Sequence, residues 1–242
     1  MKRKQKYKKA LVILGPTTTG KTEVAFELAK RLDGEVINAD KFYLFSGLPL
    51  STGLSSLSRQ SKVPSHLYQI LEPTADGLPL VDYLLLVKPL IPSILGKGKL
   101  PIIEGCSYGY TRALMDLNKL SETLQYGPFI GLRLPNRYQV YDRVERRVDK
   151  LFEEGLVSEV KKAVDCGYRY SFPMRKGVII VPTMELLEGK IDEETAKDKI
   201  RIGILEAMHS NLRKFLDVPG INWIEHNPEM LDRTILTIQE LL

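Results

Sequence analysis

The sequence predicts an α/β fold: a parallel sheet flanked by helices, with a mainly α-helical C-terminal part from about residue 156 to 242. Three observations lead there. Short apolar runs end repeatedly in small or polar residues, the first of them opens into a glycine-rich loop followed by an amphipathic stretch, and the later part of the chain keeps helical spacing.

The first run, Ala10 to Leu14, reads as a buried strand. It leads into Gly15-Pro16-Thr17-Thr18-Thr19-Gly20-Lys21-Thr22, which matches G-x-x-x-x-G-K-[ST] at every fixed position. Val24, Ala25, Leu28 and Leu32 then recur at helical spacing. Strand, loop and helix in this order point backbone N–H groups and a helix N-terminus at an anion. Lys21 adds a charge, and the Thr22 hydroxyl suits Mg²⁺. Gly15, Thr18, Thr19, Gly20, Lys21 and Thr22 are therefore expected to hold a diphosphate or triphosphate, with Mg²⁺ as cofactor and Thr22 as its ligand. The implied sheet is of the P-loop NTPase type.

Gly34 to Ala39 reads as a second strand that delivers Asp40 at its carboxyl end, the edge where open parallel sheets bind ligands. By position, Asp40 is a site carboxylate, an N-cap or a water-mediated Mg²⁺ ligand. Lys41 to Ser65 is rich in Ser, Gly and Leu and reads as a loop able to close over a substrate. His66 to Leu71 is a further strand, and Leu80 to Leu95 an apolar helix that Pro89 and Pro92 are expected to kink or break. Leu100 to Glu104 is a buried strand ending in Gly105, Cys106 and Ser107.

Tyr110 to Lys119 reads as helix and Phe129 to Leu134 as strand. Asn136 to Gly155 is a charged helix with Val140, Val144, Val148 and Leu151 on one face and Arg137, Arg143, Arg146 and Arg147 along it. Leu156 to Val164, Val178 to Leu187 and Glu193 to Leu216 continue as helices, with a loop from Cys166 to Pro173 between the first two. No repeat or low-complexity linker interrupts the pattern, so one domain over residues 10–242 behind a basic tail, 1–9, is the organisation expected.

At 242 residues and 43% apolar composition the chain can bury a substantial core. Its formal net charge of +5 sits partly in the N-terminal basic run and does not by itself identify a nucleic-acid partner. Cys106 and Cys166 form no zinc-binding pattern. No apolar run has the length of a membrane span or the form of a signal peptide, so a cytoplasmic location without a membrane partner is expected.

Taken together, GPTTTGKT at 15–22, INAD at 37–40, PIIEGCS at 101–107 and RVERRVDKLFEEGLVSEV at 143–160 resemble the isopentenyltransferase family. Its members move a dimethylallyl group onto the N6 amine of adenine, in tRNA or in free adenine nucleotides. The resemblance implies a P-loop α/β fold, dimethylallyl diphosphate as donor and Mg²⁺. It also implies roles: Thr17 at the bridging oxygen of the diphosphate, Arg143 as cationic clamp, Asp40 as the carboxylate that takes the N6 proton, and Thr52 and Ser107 as acceptor contacts. The catalytic residues expected are thus Asp40, Thr17 and Arg143.

The tRNA-modifying members carry a long helical insertion before the arginine-rich helix, whereas only about two dozen residues separate Tyr110 from Arg137 here. The Asp40–Lys41 pair and the E-G-x-S form of Glu104 to Ser107 are similar to the cytokinin-forming enzymes. The expected activity is therefore an adenylate dimethylallyltransferase of cytokinin biosynthesis acting on AMP, ADP or ATP, with no tRNA partner. The alternatives are a tRNA dimethylallyltransferase, a P-loop small-molecule kinase with Arg143 or Arg147 as phosphate clamp, and a degenerate nucleotide-binding homologue. Departures from the family pattern are Phe42 and Tyr43, where an apolar residue and a glutamine are common, the loosely matching Gly177 to Pro182, and Ala207 to Arg213, where an A-x-R-Q sequence is usual. His209, beside that last segment, reads as a surface or packing histidine.

Overall fold

The computed structural model describes residues 7–54, 62–120 and 126–242. Six parallel strands form one sheet: β1 (Ala10–Leu14), β2 (Gly34–Asn38), β3 (Ser65–His66), β4 (Leu100–Gly105), β5 (Tyr126–Arg133) and β6 (Ile221–Glu225). Their spatial order is β3-β2-β4-β1-β5-β6. Every residue of β1, β2 and β4 is buried; β1 is accordingly apolar throughout, whereas β2 also buries Glu35 and Asn38, and β4 buries Glu104. Parallel pairing sets Ile13 opposite Glu104 and Asn38 opposite the same residue. The carboxyl ends of β1, β2 and β4 therefore come out side by side.

Helices cover both faces. α1 (Lys21–Leu32) and α9 (Leu231–Glu240) close one, through Val24, Phe26, Leu28, Ile235 and Ile238. α2 (Leu80–Gly96) and α3 (Tyr108–Leu120) close the other, with Tyr83, Val87, Ile91, Leu114 and Met115. α2 runs through Pro89 and Pro92 as one helix, so of the kink or break expected there the break does not occur. Each proline deprives a carbonyl four residues earlier of its donor, but Leu85 and Lys88 both lie on the solvent side, where water can replace it.

A third apolar cluster lies beyond the sheet. α4 (Arg137–Glu153), α5 (Leu156–Asp165), α6 (Phe172–Lys176), α7 (Ile180–Leu187) and α8 (Glu193–Leu216) pack Val144, Val148, Leu156, Val160, Ile180, Ile200 and Ile204 together. Asn136 caps α4 by accepting from Gln139 N–H at 3.0 Å. The span Cys166 to Pro173, read as loop, carries a 3₁₀ turn at Tyr168–Tyr170 and the start of α6.

The structure adds to the sequence expectations in three further places. His66 to Leu71 shrinks to the two-residue β3 and an isolated bridge between Phe45 and Leu71. The C-terminal part contributes β6 to the sheet, a half-exposed edge strand. Within the basic N-terminal run, Tyr7 is tied to the fold by a hydroxyl bond to Leu32 O at 3.0 Å. Part of the expected closing loop, residues 55–61, lies outside the described residues.

Candidate active site

Gly20, the N-cap of α1, adopts φ 85°, and Thr18 also takes a left-handed conformation at φ 68°. These two turns wrap the loop around the N-terminus of α1. Thr19 ties the loop internally by donating to Pro16 O at 2.9 Å, and Thr18 donates to Thr17 O. Lys21 is buried, and none of the ion pairs found among the described residues involves it. Burial pulls its pKa down, but Cys106, Tyr43, Glu104 and Asp40 outweigh that and leave it raised, so it stays charged.

Thr22 donates its hydroxyl hydrogen to Glu104 Oε2 at 3.1 Å, and Tyr68 donates to Glu104 Oε1 at 2.6 Å. Glu104 is fully buried. Burial raises its pKa, while Lys21 and the bonds from Tyr68 and Thr22 oppose the rise. A hydroxyl whose hydrogen is spent on a carboxylate presents its lone pairs outward, as a Mg²⁺ ligand must. The donor set at Thr22 thus fits the metal expected from the sequence.

Asp40 follows β2. Its Oδ1 accepts from Phe42 N–H at 3.0 Å and its Oδ2 from the Cys106 thiol at 2.7 Å. Burial, then Asp40, raises the Cys106 pKa, so the thiol keeps its proton and serves as a donor. Tyr43 packs beside Tyr68 with ring centroids 6.4 Å apart. Burial pushes its hydroxyl up to about 12, with Lys21 and Arg147 pulling down and Asp40 and Glu104 pushing up.

Two cavities meet here. The smaller, about 390 Å³, is lined by Thr18, Gly20, Lys21, Thr22, Arg143 and Arg147. The larger, about 730 Å³, includes Thr17, Asp40, Ser107, Phe172, Ile179 and Arg147 in its wall. Tyr43 and Arg147 belong to both walls. Arg147 donates to Thr17 Oγ1 at 3.2 Å and to Gly53 O at 2.9 Å. Gly53, at φ 75°, leaves room for that guanidinium, which a Cβ would strike.

Most expected residues are brought together. Thr17, Asp40 and Ser107 line the larger cavity; Thr18, Gly20, Lys21 and Thr22 line the smaller; Gly15 and Thr19 shape the loop. Arg143 lines the smaller cavity beside Lys21 and Thr22. Its Nε donates to Thr18 O at 2.9 Å, bracing the loop, while Arg147, one turn on, reaches Thr17. Thr52 is in the wall of the larger cavity, but its hydroxyl is committed to Leu48 O at 2.8 Å. The Ser107 hydroxyl accepts from Lys41 N–H at 2.9 Å. His209 is exposed and belongs to neither wall. Sequence reasoning left aside Glu104, Cys106, Tyr68 and His226; for the first three the signal was adjacency to the ends of β4 and β3, and for His226 there was none.

The family model described as IPP transferase matches residues 43–128 and 118–206, and that described as Isopentenyl transferase matches residues 8–77. A tRNA dimethylallyltransferase of Alkaliphilus metalliredigens is 27% identical over 258 residues, covering 78% of this chain and 82% of the relative. Adenylate isopentenyltransferase 3, chloroplastic, of Arabidopsis thaliana is 36% identical over 160 residues, but covers 65% of this chain and only 46% of the plant protein. The crystal structure of a full-length tRNA isopentenylpyrophosphate transferase from Bacillus halodurans superposes with a TM-score of 0.81 at 25% identity, covering 97% of this chain and 95% of that one.

Proposed function

The chain belongs to the IPP transferase family, and from that premise we propose that it transfers a dimethylallyl group from dimethylallyl diphosphate to the exocyclic N6 amine of an adenine carried by tRNA. The observation behind this reading is the shared wall. A loop built for phosphates and a roomy, partly apolar cavity meet at Thr17, Tyr43 and Arg147, with Asp40 also in the wall of that cavity.

The diphosphate sits in the smaller cavity against the loop N–H groups, Lys21 and Arg143. Thr22 would hold Mg²⁺, which would supply charge stabilisation for the phosphate oxygens. The dimethylallyl chain enters the larger cavity past Thr17, toward Ile179 and Ile204. Phe42 and Phe172, stacked at 6.0 Å and 25°, offer flat surface for a purine. As the N6 lone pair forms the bond to the allylic carbon, the carbon–oxygen bond breaks and its electron pair leaves with the diphosphate. Thr17, oriented by Arg147, donates to the bridging oxygen. Asp40 takes the N6 proton.

For the acceptor, tRNA is favoured over the free nucleotide expected from the sequence. The relatives that match along nearly their full length are named as tRNA enzymes, whereas the adenylate enzyme matches over less than half of its own. One observation favours a free adenine nucleotide as the second reading. The family match falls into two pieces that meet at residues 118–128, where α3 passes into β5. The Alkaliphilus alignment is also longer than this whole chain although part of the chain is left out of it, so the relative has positions with no counterpart here. The test offers dimethylallyl diphosphate, Mg²⁺ and either unmodified tRNA or AMP, ADP and ATP, followed by mass analysis of nucleosides. Prenylated adenosine in tRNA alone is expected. Prenylation of free nucleotides alone would replace the acceptor with the second reading.

A further inference from the structure

His226 follows β6 and is fully buried. Its Nδ1 lies 2.8 Å from Thr234 Oγ1, whereas its Nε2 is buried with no hydrogen-bond partner. A buried ring nitrogen left unpaired costs free energy, which a bound state that pairs it recovers. This one is aimed at the phosphate loop. A Cβ placed on Gly20 would stand 3.0 Å from His226 Nε2 and 3.7 Å from Arg143 Nη2, so both nitrogens converge on one point behind the cap of α1.

The surroundings decide which nitrogen carries the proton. Nε2 faces the positive end of α1 and the Arg143 guanidinium, both of which favour a lone pair over an N–H. The proton then belongs on Nδ1, donated to Thr234. Burial and Arg143 together hold the ring neutral, with a pKa lowered to about 4.

We propose that His226 is a positioning residue of the diphosphate site: its neutral Nε2 accepts a hydrogen bond from Arg143 when that guanidinium turns toward a bound diphosphate. Arg143 spends its Nε on Thr18 O, so its remaining N–H groups are free to serve the ligand and one fixed acceptor at once. His226 is that acceptor, and Gly20 is the residue that leaves room for it. The inference rests on the loop being a diphosphate site, which binding of inorganic diphosphate with Mg²⁺ by the unaltered protein tests separately.

Titration calorimetry of the full chain with inorganic diphosphate and Mg²⁺ tests the proposal. His226→Leu weakens binding about ten- to hundredfold, and His226→Gln, which keeps an acceptor near the same place, restores most of it. On an Arg143→Ala background His226→Leu has no further effect. Unchanged binding in a folded His226→Leu protein, or additive losses in the double variant, would overturn the proposal. ¹⁵N spectra of the unaltered chain provide a readout independent of variant folding. An unprotonated Nε2 is expected, and a protonated Nε2 contradicts the role. If the unaltered protein binds no diphosphate, the reading of the loop falls, while the spectrum still decides the tautomer.

Discussion

Arg147 reaches Thr17 Oγ1 at 3.2 Å while its other nitrogen holds Gly53 O at 2.9 Å, so one guanidinium joins α4 to the phosphate loop and to the segment after β2. Thr17 would otherwise be a loop hydroxyl with free rotation. With a cation as donor, its own hydrogen is turned away from Arg147 and toward whatever stands at the junction of the two cavities.

This bond makes Arg147, more than Arg143, the residue whose loss slows the chemical step. Arg147→Ala is expected to lower kcat about 10²–10³-fold, and Arg147→Lys to recover little, since an ammonium cannot span both partners in fork geometry. Arg143→Ala should act mainly on KM for the prenyl diphosphate. Steady-state kinetics with varied donor concentration separate the two.

Asp40→Asn retains the size of the side chain and an acceptor for Phe42 N–H but cannot take a proton. Turnover should fall about 10²–10⁴-fold, while diphosphate still binds as in the unaltered protein. Calorimetry beside single-turnover kinetics checks this. A variant that turns over normally removes Asp40 from proton transfer.

Thr22 and Glu104 form a unit. Thr22→Val should raise the Mg²⁺ concentration needed for half-maximal rate, and chelation of divalent cations should abolish turnover in the unaltered protein. Glu104→Leu strands the hydroxyls of Thr22 and Tyr68 in the interior, at a cost of about 1–3 kcal/mol each. Urea denaturation measures the loss.

His226 also shapes the pH dependence of stability. Its folded pKa, about 4, lies below the ordinary 6.5 because burial and Arg143 disfavour the imidazolium. The unfolded chain therefore binds the proton first. The contribution is complete above pH 6.5 and is lost as pH falls toward 4, amounting to on the order of 3 kcal/mol. Melting temperatures between pH 7 and 5 should fall more steeply for the unaltered protein than for His226→Gln.

What could be read from the sequence follows from what each element needs. The loop was legible because its chemistry demands particular residues at fixed spacing, and β1, β2 and β4 because central parallel strands bury both faces and so keep an apolar centre, the whole of β1, Val36 and Ile37 in β2, and Ile102 and Ile103 in β4. β6 escaped because a half-exposed edge strand, INWIE, has its apolar residues interrupted by Asn222 and leaves no apolar run. Choosing between Arg143 and Arg147 was beyond the sequence, since residues four apart share a helix face and only the seating of α4 decides which meets Thr17. The Thr22–Glu104 bond depends on the register that sets Ile13 against Glu104. His226 is distant in the chain from Gly20, and only the docking of β6 beside β5 brings it behind the loop.

On the function proposed, the phosphate loop holds a leaving diphosphate and not a phosphoryl donor. Incubation with dimethylallyl diphosphate, Mg²⁺ and the adenine acceptor should release one inorganic diphosphate for each five-carbon group gained at N6, with γ-labelled ATP yielding no phosphorylated product. Transfer of the γ-phosphoryl group without any diphosphate release from the prenyl donor would make the loop a phosphoryl-donor site instead.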